Sequence, residues 1–238
     1  MEYSRMATNE VREWERTMAK RPKLITRYAK GLQTRWNHLI PQKVHEVMTE
    51  AIKQMVQAVI TGSKYVKKQP TTVYLTLKEK DDALTRAAKR YRKTAAWEGA
   101  GTGAGGLILG TADFPLLLSI KMTFLYEAAA IYGFDTEKKS ERLFLLYVFH
   151  LTYSKDHVRH EALEKIKRWD TSYAASIDEA LFDWQTFQIE YRDTIDLAKL
   201  MQLIPGFGAI VGAWANYHFL NKLGENVKNA YRLRLLAL

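Results

Sequence analysis

Four titratable side chains at helical spacing are the nearest approach to a metal site in this sequence. His157, His160, Glu161 and Glu164 recur at i, i+3, i+4 and i+7, which places them on one face of a helix. Lysines and arginines surround them, and the chain contains neither H-E-x-x-H nor any cysteine. A bound cation would meet positive charge here, so we expect a solvated helix face, no metal and no other cofactor.

Asp113 is the centre of the one enzymatic alternative, an uncharacterised hydrolase-like activity. It is the only charged residue between Glu98 and Lys121. A carboxylate acts as a general acid–base when burial in a cleft raises its pKa. Further candidates for acid–base roles are Glu127, Tyr132, His150, His157 and His218. No G-x-S-x-G nucleophile elbow is present, and Asp113 before Pro115 is typical of a helix N-cap, so we expect a non-enzymatic protein.

Glycine is concentrated in two apolar segments. Seven of the 13 glycines lie between Gly99 and Gly133, and residues 203–216 read LIPGFGAIVGAWAN. The G-x-G-x-x-G pattern of Gly101–Gly106 would bind a dinucleotide only after a β-strand, whereas the preceding residues predict a basic helix. Glycines four residues apart instead allow two helix backbones to approach closely.

These two glycine-rich segments predict a shielded helix pair. Glycine weakens an isolated helix by about 1 kcal/mol relative to alanine, so such helices persist only where water is excluded. We predict helices over Gly99–Thr111 and Phe114–Tyr132, joined at Asp113 as a hairpin that is buried in the protein or dipped into a membrane. The second segment echoes the first, which would bring Asp113 and Asn216 to matching depths as a candidate ligand-binding pair.

Apolar periodicity predicts an all-α, single compact domain with the two glycine-rich apolar helices packed together in its centre. Within 1–238 we distinguish a basic part (1–96), the central glycine-rich helices (97–134) and C-terminal helices (135–238). One helix should begin at Asp81 or Asp82, which can cap it. Another, Glu137–Tyr153, is charged at its start and apolar on all sides from Leu143 to Leu151, which indicates full burial. The last should span Leu220–Leu236.

The net excess of positive charge lies in the first part of the chain. The net charge is +10, and residues 1–98 carry 21 lysines and arginines against 10 acids, an excess of 11. This asymmetry indicates an anionic partner such as the cytoplasmic membrane leaflet. Nucleic acid is disfavoured because no recognition motif is present. The candidate membrane or anion surface consists of Lys20, Arg21, Lys23, Arg27, Lys30, Lys89, Arg90, Arg92 and Lys93.

Location follows from two absences in the sequence. The N-terminal residues contain no apolar leader segment, and cysteine is absent. We therefore expect a cytoplasmic protein peripheral to the inner face of the cell membrane.

A family resemblance covers most of the chain. The run G-T-G-A-G-G after Trp97, followed by A-D-F-P-L-L-L and A-x-x-Y-G-F-D, resembles the bacterial EcsC protein family. The later I-P-G-F-G-A-I-V-G-A-x-x-N-Y-x-F is similar to that family's second signature. The family is named for a gene beside an ABC exporter. The resemblance implies an auxiliary role at the membrane and supplies no catalytic residues.

Overall fold

The described helices of this computed structural model pack around one shared core. The structure describes residues 2–20, 42–62, 75–104, 114–154, 156–173, 183–191 and 208–238. The helices are α1 (Glu2–Ala19), α2 (Gln42–Thr61), α3 (Leu77–Ala104), α4 (Phe114–Tyr132), α5 (Lys139–Tyr153), α6 (Asp156–Lys167), α7 (184–191) and α8 (Gly208–Leu236), with a π-helical turn at Trp169–Tyr173. No strand occurs in these ranges, and the all-α prediction is confirmed.

The antiparallel pair α3 and α8 is the most extensive helix contact in the described part of the chain. Asp81 near the start of α3 meets Arg232 near the end of α8. Further along, a Cβ placed on Gly224 would lie 3.6 Å from the Cβ of Ala88, so the two backbones approach closely there. Arg92 then reaches Asn221. These successive contacts place the end of α3 beside the start of α8.

Helix α4 is the central apolar helix and runs antiparallel to α3. Its length and composition would permit it to cross a membrane, but 61% of the relevant window is buried inside the domain. It contacts α2, α3, α5 and α8. The predicted bounds of this helix, Phe114–Tyr132, are confirmed. Because α4 is antiparallel to α3, Phe114 lies at the same end of the domain as the last turns of α3.

Helix α5 is buried on every side, as its apolar sequence predicts. Every residue from Glu141 to Tyr153 is buried. Arg142, near its start, caps the end of α2 by donating to the carbonyl oxygen of Ile60 at 2.8 Å. The same guanidinium donates to the carbonyl oxygens of Thr136 and Glu137, which ties the preceding loop to both helices.

Three predicted helix boundaries were wrong. Helix α3 begins at Leu77, because Thr76 and Glu79 form a capping box in which the Glu79 carboxylate accepts from the Thr76 amide at 2.8 Å. Asp81 is therefore inside the helix. α3 continues past Gly99 to Ala104, so the basic helix and the first three glycines of the segment, Gly99, Gly101 and Gly103, form one element. The last helix spans Gly208–Leu236, because no break separates Gly208 from Leu220.

The predicted packing of the two glycine-rich segments stays a prediction. Residues 105–113 and 192–207 lie outside the described residues, which includes Asp113 and most of the predicted hairpin turn. The long helix predicted to reach about residue 202 is described only over 184–191.

Candidate functional site

One end of the α3/α8 pair holds a buried network of paired charges, which we call the paired end. Asp81 accepts from Arg232 Nε at 2.9 Å and from the Tyr3 hydroxyl at 2.8 Å. The Tyr132 hydroxyl donates to its other oxygen at 2.5 Å. Arg232 also donates to Glu10 at 2.5 Å. Burial, and then the charge of Asp81, raise the pKa of Tyr132. Every charge here has a partner, so the network has a structural role.

The opposite end of the same pair, where α3 ends and α8 and α4 begin, we call the glycine end. It exposes large apolar side chains. Trp97 on α3 is 79% exposed, and Ile210 and Trp214 on α8 are 68% and 60% exposed. Tyr217 lies one turn after Trp214, and Leu116 near the start of α4 is also exposed. Such a group of aromatic and aliphatic side chains is typical of an interaction surface.

Four cations of the predicted anion surface precede this apolar group on α3, toward the middle of the helix. Lys89 and Lys93 are exposed, and neither forms an ion pair with a described residue. Arg90 is different, because it donates to Glu127 at 2.5 Å and is neutralised. Arg92 is partly buried, where it contacts the Tyr217 ring at 5.2 Å and donates to Asn221. The four cations predicted on α3 are therefore of two kinds: two lysines without an ion pair to any described residue, and two arginines held by neighbouring side chains.

The N-terminal half of the predicted anion surface is described at one residue only. Lys20 is exposed at the end of α1, and its carbonyl oxygen accepts from Arg159 at 3.1 Å. Arg21, Lys23, Arg27 and Lys30 lie outside the described residues.

Of the predicted ligand-binding pair, the structure describes only Asn216. Asn216 is buried in α8, and its side-chain nitrogen has no hydrogen-bond partner among the described residues. Asp113 lies outside them. That Asp113 and Asn216 lie close together therefore remains a prediction.

The described acid–base candidates lie in four separate places. Glu127 accepts from Arg90 and Tyr91 at the surface. Tyr132 is part of the paired end. His150 is buried beside Phe187, and burial, followed by the charge of Lys165, lowers the pKa of its imidazole to about 4. His218 is exposed and stacks on Trp214. They form no common site, and His157 has no described side chain.

No group of three or more metal-binding side chains occurs in the described ranges. His160 and Glu161 are exposed. Glu164 instead pairs with Lys167 and Arg168, each at 3.7 Å. Of the four side chains that the sequence spacing places on one helix face, Glu164 is therefore paired with nearby cations.

Lys121 is a buried cation that was not among the residues predicted from the sequence. It is 2% exposed in the middle of α4 and donates to the Tyr191 hydroxyl at 2.9 Å. The rings of Tyr153, Tyr191 and Phe219 lie 5.2 to 5.4 Å from its ammonium nitrogen. Cation–π attraction of this kind offsets part of the cost of removing the ammonium from water. A lysine in the middle of a mainly apolar helix was the sequence signal that could have identified it.

Comparisons with known proteins agree with the signature motifs. A model of the EcsC protein family matches residues 5–236. Protein EcsC of Bacillus subtilis (strain 168) is 43% identical over 233 residues, which cover 98% of this chain and 96% of that protein. Uncharacterized protein YdbA of the same strain is 26% identical over 89% of this chain and 75% of its own length. No solved structure matches the chain significantly.

Proposed function

We propose that this chain, which belongs to the EcsC protein family, is a non-enzymatic accessory protein. In this proposal it docks with its glycine end on the anionic cytoplasmic face of the cell membrane. The observation that carries the proposal is the exposure of three large apolar side chains, Trp97, Ile210 and Trp214, at one end of the α3/α8 pair.

The aromatic residues suit the boundary between lipid tails and headgroups. Tryptophan and tyrosine are enriched at this depth because their rings are apolar and carry one polar group. Trp97, Trp214 and Tyr217 belong to helix turns that lie at the same end of the domain. They would enter the interface together if the helices met the membrane end-on.

The free lysines suit the headgroup phosphates in the same orientation. Lys93 and Lys89 precede Trp97 by four and eight residues on α3, which corresponds to about 6 and 12 Å along the helix axis. Amphipathic elements bury their apolar side chains about 5–10 Å below the headgroup boundary. Tryptophans at that depth would place the lysines among anionic headgroups, where each contributes about 1 kcal/mol.

The proposal also includes the packing of the two glycine-rich segments against each other. The register of α3 against α8, continued beyond Arg92 and Asn221, pairs the turn before Ala104 with the turn after Gly208. Small residues there would permit close approach of the two backbones. The two segments would then form the tip that meets the bilayer.

An association with an ABC exporter is part of the proposal and rests on the family resemblance alone. The auxiliary role at the membrane that the resemblance implies is compatible with a docked domain whose remaining surface faces a partner. The cytoplasmic leaflet is the docking surface because its anionic lipids attract exposed lysines.

Flotation with lipid vesicles tests the proposal. The full chain should float with vesicles that contain anionic phospholipid, and flotation with neutral vesicles should be much weaker. About 0.5 M salt should reduce binding, because the Debye length then falls to a few ångströms. Binding that ignores both lipid charge and salt, or no binding at all, would contradict the proposal.

A further inference from the structure

Arg92 lies at the seam, the surface line along which α3 meets α8. Its guanidinium carbon is 5.2 Å from the centre of the Tyr217 ring on α8, and its Nη1 donates to Asn221, one turn later on α8. Arg90 reaches Glu127 on α4, and a residue two positions later on a helix points to roughly the opposite side. Arg92 is therefore turned away from α4, and its side chain is partly exposed.

No described carboxylate neutralises this guanidinium. The four residues on either side of Arg92 in α3 include no acid. Glu225 is the only acid of α8, and it accepts from the side-chain nitrogen of Asn221 at 3.0 Å without forming an ion pair with Arg92. The Nε of Arg92 is buried and has no hydrogen-bond partner in the part of the chain that the structure describes. Arg92 therefore keeps its positive charge and a donor that is not used.

Two lysines extend the positive charge around Arg92. Lys89 precedes it by three residues, a spacing that makes two side chains neighbours on a helix surface, and Lys93 follows it directly. Both lysines are exposed, and neither forms an ion pair with a described residue. The three cations form one positive strip on α3, in which Arg92 alone is held in place by side chains of α8.

An arginine held in this manner is a directional donor, whereas an exposed lysine is a mobile point charge. The planar guanidinium presents N–H groups in pairs that match phosphate oxygens, and neighbours that fix its plane reduce the entropy lost on binding. A buried N–H group without an acceptor costs free energy until an acceptor reaches it. We propose that Arg92 binds the phosphate of one phospholipid headgroup at the seam, with Lys89 beside it.

The depth of Arg92 suits a headgroup in the docked orientation, and the proposal rests on that orientation for its ligand. Arg92 precedes Trp97 by five residues, or about 7.5 Å along α3. Rings buried about 5–10 Å below the headgroup boundary therefore place the guanidinium at that boundary. Tyr217 is exposed, and exposed side chains change rotamer within nanoseconds. Its ring can turn toward the lipid and open Nε to a phosphate oxygen.

A substitution that conserves charge tests whether the guanidinium itself is used. Arg92→Lys keeps the positive charge and loses the paired N–H groups, so it should weaken binding of the full chain to phosphatidylglycerol vesicles about tenfold. Arg86→Lys, the same change at an exposed position of α3, is the matched control and should bind as the unaltered chain does. Equal affinities of the Arg92→Lys chain and the unaltered chain would overturn the proposal, because charge alone would then explain binding.

Arginine side-chain NMR of the unaltered chain reports on the same contact and requires no variant to fold. In a chain with isotope-labelled arginine, the Nε–H resonance of Arg92 should shift when dihexanoylphosphatidylglycerol is added below its micelle concentration, and that of Arg86 should not. Hexanoate supplies an acyl chain and a negative charge without a phosphate, so it should leave Arg92 unshifted. A shift in hexanoate as large as that in the phospholipid, or no shift in either, would overturn the proposal.

The two measurements separate this site from docking. If the chain floats with anionic vesicles but Arg92→Lys binds equally well, docking stands and the headgroup site is overturned. If the chain does not float but the Arg92 resonance shifts with the short-chain phospholipid, the headgroup site is supported and docking by the glycine end is overturned.

Discussion

The two ends of the α3/α8 pair differ in which side chains they bury and which they expose. At the paired end, Asp81 and Arg232 are buried and each has several partners. Along α3 toward the glycine end, Lys89 and Lys93 have no described partner, and at that end Trp97 and Trp214 remain largely exposed. The helices that bury charge at one end therefore expose apolar rings at the other.

This contrast separates a surface that maintains the fold from one that is free to bind. A buried charge stays in place only with its partners, so the paired end allows little substitution. Exposed aromatic rings contribute little to folding, and a group of them beside unpaired lysines is expected where a partner with apolar and anionic parts is present. A phospholipid surface has both properties. The following substitutions test the contrast in order of expected effect.

Arg232→Met should lower the free energy of unfolding by about 3–5 kcal/mol, because Asp81 would remain buried without its cation. Urea unfolding measures the change. Arg86→Met, on the exposed side of α3, is the control and should change stability by less than about 0.5 kcal/mol. Adding Asp81→Leu to Arg232→Met should restore part of the loss, because the carboxylate that Arg232→Met leaves buried without its cation is then absent. Similar losses of unfolding free energy in the Arg232 and Arg86 variants would show that the buried charges of the paired end contribute no more to stability than an exposed arginine does.

The combined change Trp97→Ser and Trp214→Ser should reduce affinity for anionic vesicles about a hundredfold. Each ring would lose roughly 1.5 kcal/mol of apolar transfer, or about tenfold in affinity. Stability should change little, because both rings are exposed. Leu235→Ser is the control, since Leu235 is an exposed apolar residue at the paired end of α8. Equal losses in both variants would indicate that the whole surface binds lipid without a preferred end.

Lys93→Gln should weaken vesicle binding about fivefold, since a cation near an anionic surface contributes about 1 kcal/mol. Lys78→Gln is the matched control at the other end of α3, where Lys78 pairs with Asp82 at 3.1 Å. The two variants should bind alike at about 0.5 M salt, where screening removes the difference. If Lys78→Gln weakened binding as much at low salt, net charge rather than position would control binding.

Thr76→Ala should destabilise the chain by about 0.5–1 kcal/mol through loss of the capping box at the start of α3. Asp82→Ala should cost less than about 0.5 kcal/mol, because it removes only an exposed pair with Lys78. Chemical denaturation compares the two. If Asp82→Ala destabilised the chain more than Thr76→Ala, the cap would be Asp82, one of the two caps predicted from the sequence.

Composition and periodicity were sufficient to predict the helical fold and the buried helix α5. They did not reveal the partners of Asp81, because an acid near a helix start resembles a cap until Arg232, 151 residues later in sequence, is placed beside it. The same limit applied to Lys121, whose cage combines rings from α5, α7 and α8. Among the predicted surface cations, Arg90 and Lys93 look equivalent in sequence, and only packing shows that Glu127 neutralises Arg90.

The absence of cysteine from the chain permits a direct measurement of orientation. A polarity-sensitive fluorophore attached through Ile210→Cys would report on the glycine end, and one attached through Leu235→Cys would report on the paired end. These positions are about 37 Å apart along α8. With anionic vesicles, the emission of the label at 210 should shift to shorter wavelength, and that of the label at 235 should stay unchanged. A shift at 235 alone, equal shifts at both positions, or vesicle binding with no shift at 210 would contradict docking by the glycine end.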